Sequence, residues 1–301
     1  MDTFGFDRVL VPTDMSDFAT LALRYGVMFN ERLGSALTLM YADEFYLPID
    51  LLDVPMGYYL DNAPATKVKL TEKLREYANA HAPAGTETLV IQEAPARAIT
   101  KTASDMHANL IIMGTHGRRG WRRALLGSVT EAVLHDVDVP LLTITPALME
   151  RGDKIDFKRI ICPVNFTRVA RESLQKACTL AEAFGSELHI VYVAEGIDEA
   201  RAPELEAAFT QWVEPQVRQR CTYKPLVTHH GDPAERVLEI SQEIEADLMV
   251  IGAQHRRFYE ATIIGTTTER MTRFSRCPVL TVMRAAVVEE NIEDKKLVQV
   301  G

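Results

Sequence analysis

The sequence predicts an α/β protein made of two copies of one doubly wound domain, each a five-stranded parallel sheet flanked by helices. Three observations carry that prediction. The chain repeats itself, short apolar runs recur without alternation, and helical periodicities fall between those runs. A length of 301 residues suits two ordinary domains.

The repeat is visible in four segments. Arg8-Val-Leu-Val-Pro-Thr-Asp14 recurs as Arg159-Ile-Ile-Cys-Pro-Val-Asn165, and Gly34-Ser35 as Gly185-Ser186, both at the offset that carries Pro12 to Pro163. Asn109-Leu-Ile-Ile-Met-Gly114 recurs as Asp247-Leu-Met-Val-Ile-Gly252, and Val139-Pro-Leu-Leu-Thr143 as Cys277-Pro-Val-Leu-Thr281, both at a shorter offset. Four segments in order at two fixed offsets describe one domain copied, with the second copy shortened in its middle. The polar stretch Met149–Lys154 marks the joint. The expected bounds are 1–147 and 155–285, with a C-terminal tail over 286–301.

The elements of the first copy follow in order. Strands are expected at Val9–Val11, Leu37–Tyr41, Thr88–Ile91, Leu110–Met113 and Leu141–Ile144. Each is short and continuously apolar, as strands covered on both faces of a parallel sheet are. Ser16 is a candidate N-cap for a helix over Asp17–Leu33, and Gly34 its stop. Further helices are expected over Ala63–Ala82, Pro95–His107 and Val129–His135. In the second copy Leu174, Ala177, Cys178, Ala181 and Phe184 keep helical spacing before Gly185. The segment Asp43–Asn62 is extra length. It reads as a long connection packed on its own domain or on a neighbour, with a lid over a ligand as the alternative.

Composition excludes several classes. Apolar residues make up 47% and charged residues 25%, a globular balance. Net charge of −9 disfavours nucleic acid or an anionic membrane as main partner. No apolar run is long enough to cross a bilayer, and the first residues lack the basic and apolar regions of a signal peptide. The four cysteines (Cys162, Cys178, Cys221, Cys277) form no CxxC pair, so a disulfide scaffold or zinc knuckle is not expected and a cytoplasmic location fits. Cys162 and Cys277 read as small core residues. His229-His230 reads as a surface pair, and no metal site is expected.

In an open parallel sheet, ligands bind beyond the carboxyl ends of the strands. The loop after the first strand is Pro12-Thr13-Asp14. The loop after the fourth runs from Gly114 through Gly117 to Gly127-Ser128 and opens a helix. Glycines let backbone N–H groups approach an anion. A helix start supplies donors and a partial positive end. Ser128 and Thr130 add hydroxyls, and Arg118, Arg119, Arg122 and Arg123 add cations. This composition suits a polyphosphate. Neither GxxxxGK[ST] nor GxGxxG occurs in the chain.

Gly114-x2-Gly117-x9-Gly127-Ser128 resembles the G-x2-G-x9-G-[ST] signature of the ATP-binding branch of the universal stress protein family, and Val9–Asp14 followed by Ser16 resembles that family's first strand and loop. The repeat matches its tandem members. The resemblance implies strand order 3-2-1-4-5 and an ATP site in the first copy. Pro12, Thr13, Asp14 and Ala42 would border the base. Met113, Gly114, Gly117 and Arg118 would line ribose and phosphates, and Gly127, Ser128, Val129 and Thr130 would hold the phosphates. Magnesium would accompany ATP on phosphate oxygens rather than in a protein cage. The corresponding positions of the second copy are Val164, Asn165, Val193, Gly252, Gly265, Thr266 and Thr267. There Asn165 replaces the aspartate and His255 the second glycine, so weaker binding and an empty structural role are both open. The family also implies antiparallel pairing of the fifth strands, Leu141–Ile144 with Val279–Val282, giving an internal pseudo-dimer that could pair again as a homodimer.

The function expected is an ATP-binding stress or signalling protein whose occupancy biases shape or assembly. No organised base or nucleophile is present, so no catalytic residue is assigned. The alternatives are a slow ATPase, for which His116, Ser128 and Glu131 are the available groups, and a scaffold that binds no nucleotide. RNA binding through the arginine-rich loop is disfavoured, because Trp121 alone offers a stacking surface there.

Overall fold

The computed structural model describes residues 5–44, 56–115, 126–145, 148–149, 155–194, 202–213, 220–228, 231–254, 256–258, 261–263 and 266–284. In the first repeat β1 (Arg8–Pro12), α1 (Asp17–Leu33), β2 (Ala36–Ala42), α2 (Met56–His81), β3 (Glu87–Ile91), α3 (Pro95–Asp105), β4 (Leu110–Gly114), α4 (Ser128–Asp136) and β5 (Leu141–Ile144) alternate as the sequence predicts. The second repeat gives β6 (Arg159–Pro163), α5 (Arg168–Phe184), β7 (Glu187–Val193), α6 (Ala202–Trp212), β8 (Tyr223–Thr228), α7 (Pro233–Glu243) and β9 (Leu248–Gln254). It then adds a small hairpin, β10 (Arg256–Phe258) and β11 (Ala261–Ile263), before α8 (Thr266–Phe274) and β12 (Val279–Arg284).

Ten strands form one sheet in the order β3-β2-β1-β4-β5-β12-β9-β6-β7-β8. Each half is parallel with order 3-2-1-4-5. The halves meet antiparallel where Leu142 faces Leu280 and Thr143 faces Val279. Across this seam the Thr143 hydroxyl donates to the Val279 carbonyl at 3.2 Å. Bulky aliphatic residues on both strand faces need cover on both sides, and the helices supply it. On one face α1, α2, α5 and α6 bury a single core that runs through both repeats. On the other face α3 and α4 cover one core, and α7 and α8 a second.

The helix ends of the two copies match. Ser16 and Thr167 cap α1 and α5, accepting from the Ala19 and Ala170 amides. Gly34 and Gly185 end the same helices with φ of 72° and 68°, a left-handed conformation that favours glycine. Met15 and Phe166 both have φ of 60°, so the strained turn between first strand and first helix is repeated too.

The joint between repeats is aromatic. Phe157, just ahead of β6, stands 5.1 Å from Phe184 and 6.3 Å from Phe29, ring centre to ring centre. Phe6 adds an edge contact to Phe29 at 5.6 Å. These rings clamp α1 against α5 over the seam. The structure differs from the sequence reading at α2, which begins at Met56 rather than Ala63 and so absorbs the end of the extra segment. The rest of that segment, 45–55, the pair His229-His230 and the tail beyond Arg284 lie outside the described residues.

Candidate functional site

The carboxyl ends of β1 and β4 lie side by side, because Val9 pairs with Leu110 and Leu10 with Ile111. Sheet order reverses at this point: β2 lies outward of β1, and β5 outward of β4. In open parallel sheets such a reversal point is where ligands bind.

The loop after β1 is held by its own polar groups. Pro12 ends the strand opposite Met40. The Thr13 amide donates to the Met40 carbonyl at 2.8 Å, and the Thr13 hydroxyl accepts from the Met15 amide at 2.9 Å. Asp14 is half-buried, and its carboxylate accepts from the Ser16 amide at 3.0 Å. Ala42, the end of β2, faces Ile91 of β3. Pro12, Thr13, Asp14 and Ala42 therefore share one end of the sheet.

The loop after β4 is gathered at its base. The Thr115 amide donates to the Ile144 carbonyl at 2.9 Å, and the Gly127 amide to the Thr115 carbonyl at 2.8 Å. The Thr130 hydroxyl donates to the Gly114 carbonyl at 3.0 Å. Gly114 and the start of α4 are thereby joined, although 14 positions separate Gly114 from Ser128 in the chain. Gly127 occupies the N-cap position with no side-chain cap, so the first-turn amides of Ser128, Val129 and Thr130 have no intrahelical acceptor. Ser128 is exposed and Val129 half-buried. This arrangement fits an anion on the helix axis.

Three expected roles narrow in this geometry. The Gly127 amide is spent on Thr115, and the Thr130 hydroxyl on Gly114, so neither is a spare phosphate donor. Met113 is 6% exposed, its side chain in the core with Leu10 and Met40, which leaves its backbone to face a ligand. Gly117, Arg118 and the other loop arginines, with His116, lie outside the described residues.

Comparison with known proteins settles the lineage. The family model of the universal stress protein family matches residues 5–145 and again 156–283. The chain belongs to the universal stress protein family. A universal stress protein of Methanocaldococcus jannaschii is 26% identical over 152 residues, covering 46% of this chain and 88% of its own length. A Na(+)/H(+) antiporter of Synechocystis sp. is 30% identical over 191 residues, 62% of this chain, which spans only 26% of the antiporter. A solved universal stress protein from Archaeoglobus fulgidus shares the fold at a TM-score of 0.70 and 23% identity, covering 93% of this chain and 99% of that one.

The two universal stress protein repeats differ at the equivalent site. In the first, β4 ends at Gly114 opposite Ile144. In the second, β9 continues past Gly252 to Gln254, pairing with β12 as far as Arg284. The chain then turns through the β10–β11 hairpin, with Arg256 opposite Ile263. β5 ends at Ile144, whereas β12 runs two residues past the equivalent Val282 to Arg284. Gly252 is thus a mid-strand residue. A Cβ there would meet the Val169 carbonyl oxygen at 2.8 Å, so this glycine admits the close approach of α5. Val164 is buried, Asn165 is exposed and accepts from the Thr167 hydroxyl at 2.7 Å, and Val193 ends β7 half-buried. Thr267 is exposed in the first turn of α8, which Thr266 opens, while His255 and Gly265 lie outside the described residues. The hairpin has no counterpart in the sequence reading, since the motif spacing is unchanged.

Among the described residues, no group of three or more His, Cys, Asp or Glu could hold a metal ion. No described helix is long and apolar enough to cross a membrane.

Proposed function

We propose that the first repeat is an adenine-nucleotide site, with ATP the nucleotide expected, and that occupancy of this site regulates the protein's conformation or assembly. The observation that carries the reading is the convergence, at the reversal point of the sheet, of the Thr13–Asp14 loop, the end of β4 and the uncapped start of α4. The base would lie beside Pro12, Thr13, Asp14 and Ala42. The phosphates would take the first-turn amides of α4 and the exposed Ser128 hydroxyl, with Gly114, Gly117 and Arg118 along the chain between. A magnesium ion, where present, would be carried on the phosphates. Membership of the family and the G-x2-G-x9-G-S spacing support this assignment. In the proposed division, residues 1–147 form the binding domain, 155–285 a domain of structural or altered binding role, and 286–301 a tail.

The test is mass analysis of whatever leaves the full-length protein on denaturation, together with equilibrium binding of ATP to nucleotide-stripped protein. Adenine nucleotide released in near-equimolar amount, and lost in Ser128→Asp, supports the reading. Stripped protein that binds no ATP at millimolar concentration overturns it and favours the scaffold. Steady phosphate release from bound ATP would make the protein a slow ATPase instead of a binder.

A further inference from the structure

Away from that site, two cysteines of the second repeat meet. Cys178 lies in α5 and Cys221 just ahead of β8, yet their sulfurs are 3.3 Å apart. Cys162 and Cys277 are 0% and 2% exposed and sit in strand-side cores; Cys178 is also buried, at 0%, and Cys221 is partly exposed. Cys178 and Arg220 form part of the wall of an open cavity of about 660 Å³, together with Glu172, Gln175, Lys176 and Thr179 of α5. The Arg220 guanidinium is anchored beside the sulfurs by a 2.8 Å bond to Glu182.

We propose that Cys178 and Cys221 are a redox pair, oxidised by hydroperoxides to a disulfide that staples α5 to the chain entering β8. One sulfur, as thiolate, attacks the terminal oxygen of the hydroperoxide. The O–O bond breaks, an alcohol or water leaves with a solvent proton, and a sulfenic acid remains. The second sulfur attacks the first, the S–S bond forms, and the sulfenic hydroxyl departs as water with the second thiol's proton. The balance is two thiols and one hydroperoxide to one disulfide, one alcohol or water, and one further water. The 3.3 Å contact means the second step needs little backbone movement. The hydrogen bond with Cys221 pushes the Cys178 thiol down, opposed by burial, with Arg220 adding to the effect and Glu182 opposing it, while the same contact pushes the Cys221 thiol up.

The experiment uses full-length reduced protein and a few equivalents of hydrogen peroxide. Catalase then stops the reaction, and the chain is denatured in iodoacetamide. The expected result is a fall in alkylated thiols from the four present to two, a linked peptide holding Cys178 and Cys221, and recovery of all four after dithiothreitol. Four alkylated thiols after peroxide overturn the proposal. So does a link through Cys162 or Cys277, a link between chains, or sulfinic acid on one sulfur beside an alkylated partner. Cys178→Ser and Cys221→Ser each remove the link, and the remaining thiol of at least one variant gives a dimedone adduct. Should either variant fail to fold, the wild-type peptide map still decides.

Discussion

The Thr130 hydroxyl donates to the Gly114 carbonyl at 3.0 Å, fastening the first turn of α4 to the last residue of β4. The second repeat retains the pairing in looser form, with Thr268 to Gly252 at 3.5 Å. In the first repeat it fixes the helix start over the strand end, where the proposed phosphates would lie. Thr130→Val keeps the shape and removes the donor, leaving a half-buried acceptor short of a partner. A loss of about 1–3 kcal/mol is expected, along with a smaller thermal upshift on adding MgATP. A full-sized ATP shift in a destabilised Thr130→Val would separate this bond from ligand binding.

Gly252→Ala tests the opposite kind of constraint. Its new Cβ would fall 2.8 Å from the Val169 carbonyl oxygen, which is backbone and can yield only by moving the start of α5. A destabilisation of about 1–3 kcal/mol is expected, with nucleotide binding by the first repeat retained. Unchanged urea midpoints would show that α5 can shift freely.

The seam is tested at Leu142, which is 1% exposed and paired with Leu280. Leu142→Asp would place a carboxylate between two apolar strands. The expected cost is on the order of 4 kcal/mol, with an increased radius of gyration in small-angle scattering as the repeats part. A variant as stable and compact as the parent would contradict the pairing.

Burial pushes the Cys162 thiol from its ordinary 9.0 up to about 12. The folded state therefore keeps a proton that the unfolded chain releases above pH 9. The resulting stability is fully present below that pH and fades as pH rises toward about 12. Urea midpoints measured between pH 8 and 11 should fall less steeply for Cys162→Ala than for the parent. Equal slopes would remove Cys162 from the alkaline response.

The strands of the first repeat were legible because each is a short, mostly apolar run, and their observed bounds lie within one residue of those expected. The Gly34 and Gly185 stops and the Ser16 cap were legible from residue type alone. The start of α2 was not, since Pro55 and Pro64 with Tyr58 and Tyr59 read as a connection. The β10–β11 hairpin was hidden by a motif whose spacing is intact. Its cause is strand extension past Gly252, which depends on pairing with β12. The Phe157 clamp was missed because one ring ahead of a strand carries no periodicity. Cys178 and Cys221 are 43 positions apart, a contact only the fold supplies. At the candidate site, glycine spacing pointed to the β4–α4 junction, but which amides and hydroxyls there are already spent emerges only in three dimensions.

Joining the halves through β5 and β12 inside one chain has an evolutionary consequence. In a dimer of identical subunits, every substitution strikes both sides of the two-fold axis at once. Covalent fusion releases that coupling, so β5 can end at Ile144 while β12 runs on to Arg284. Either half can then change without its twin changing, the common scaffold intact beneath both.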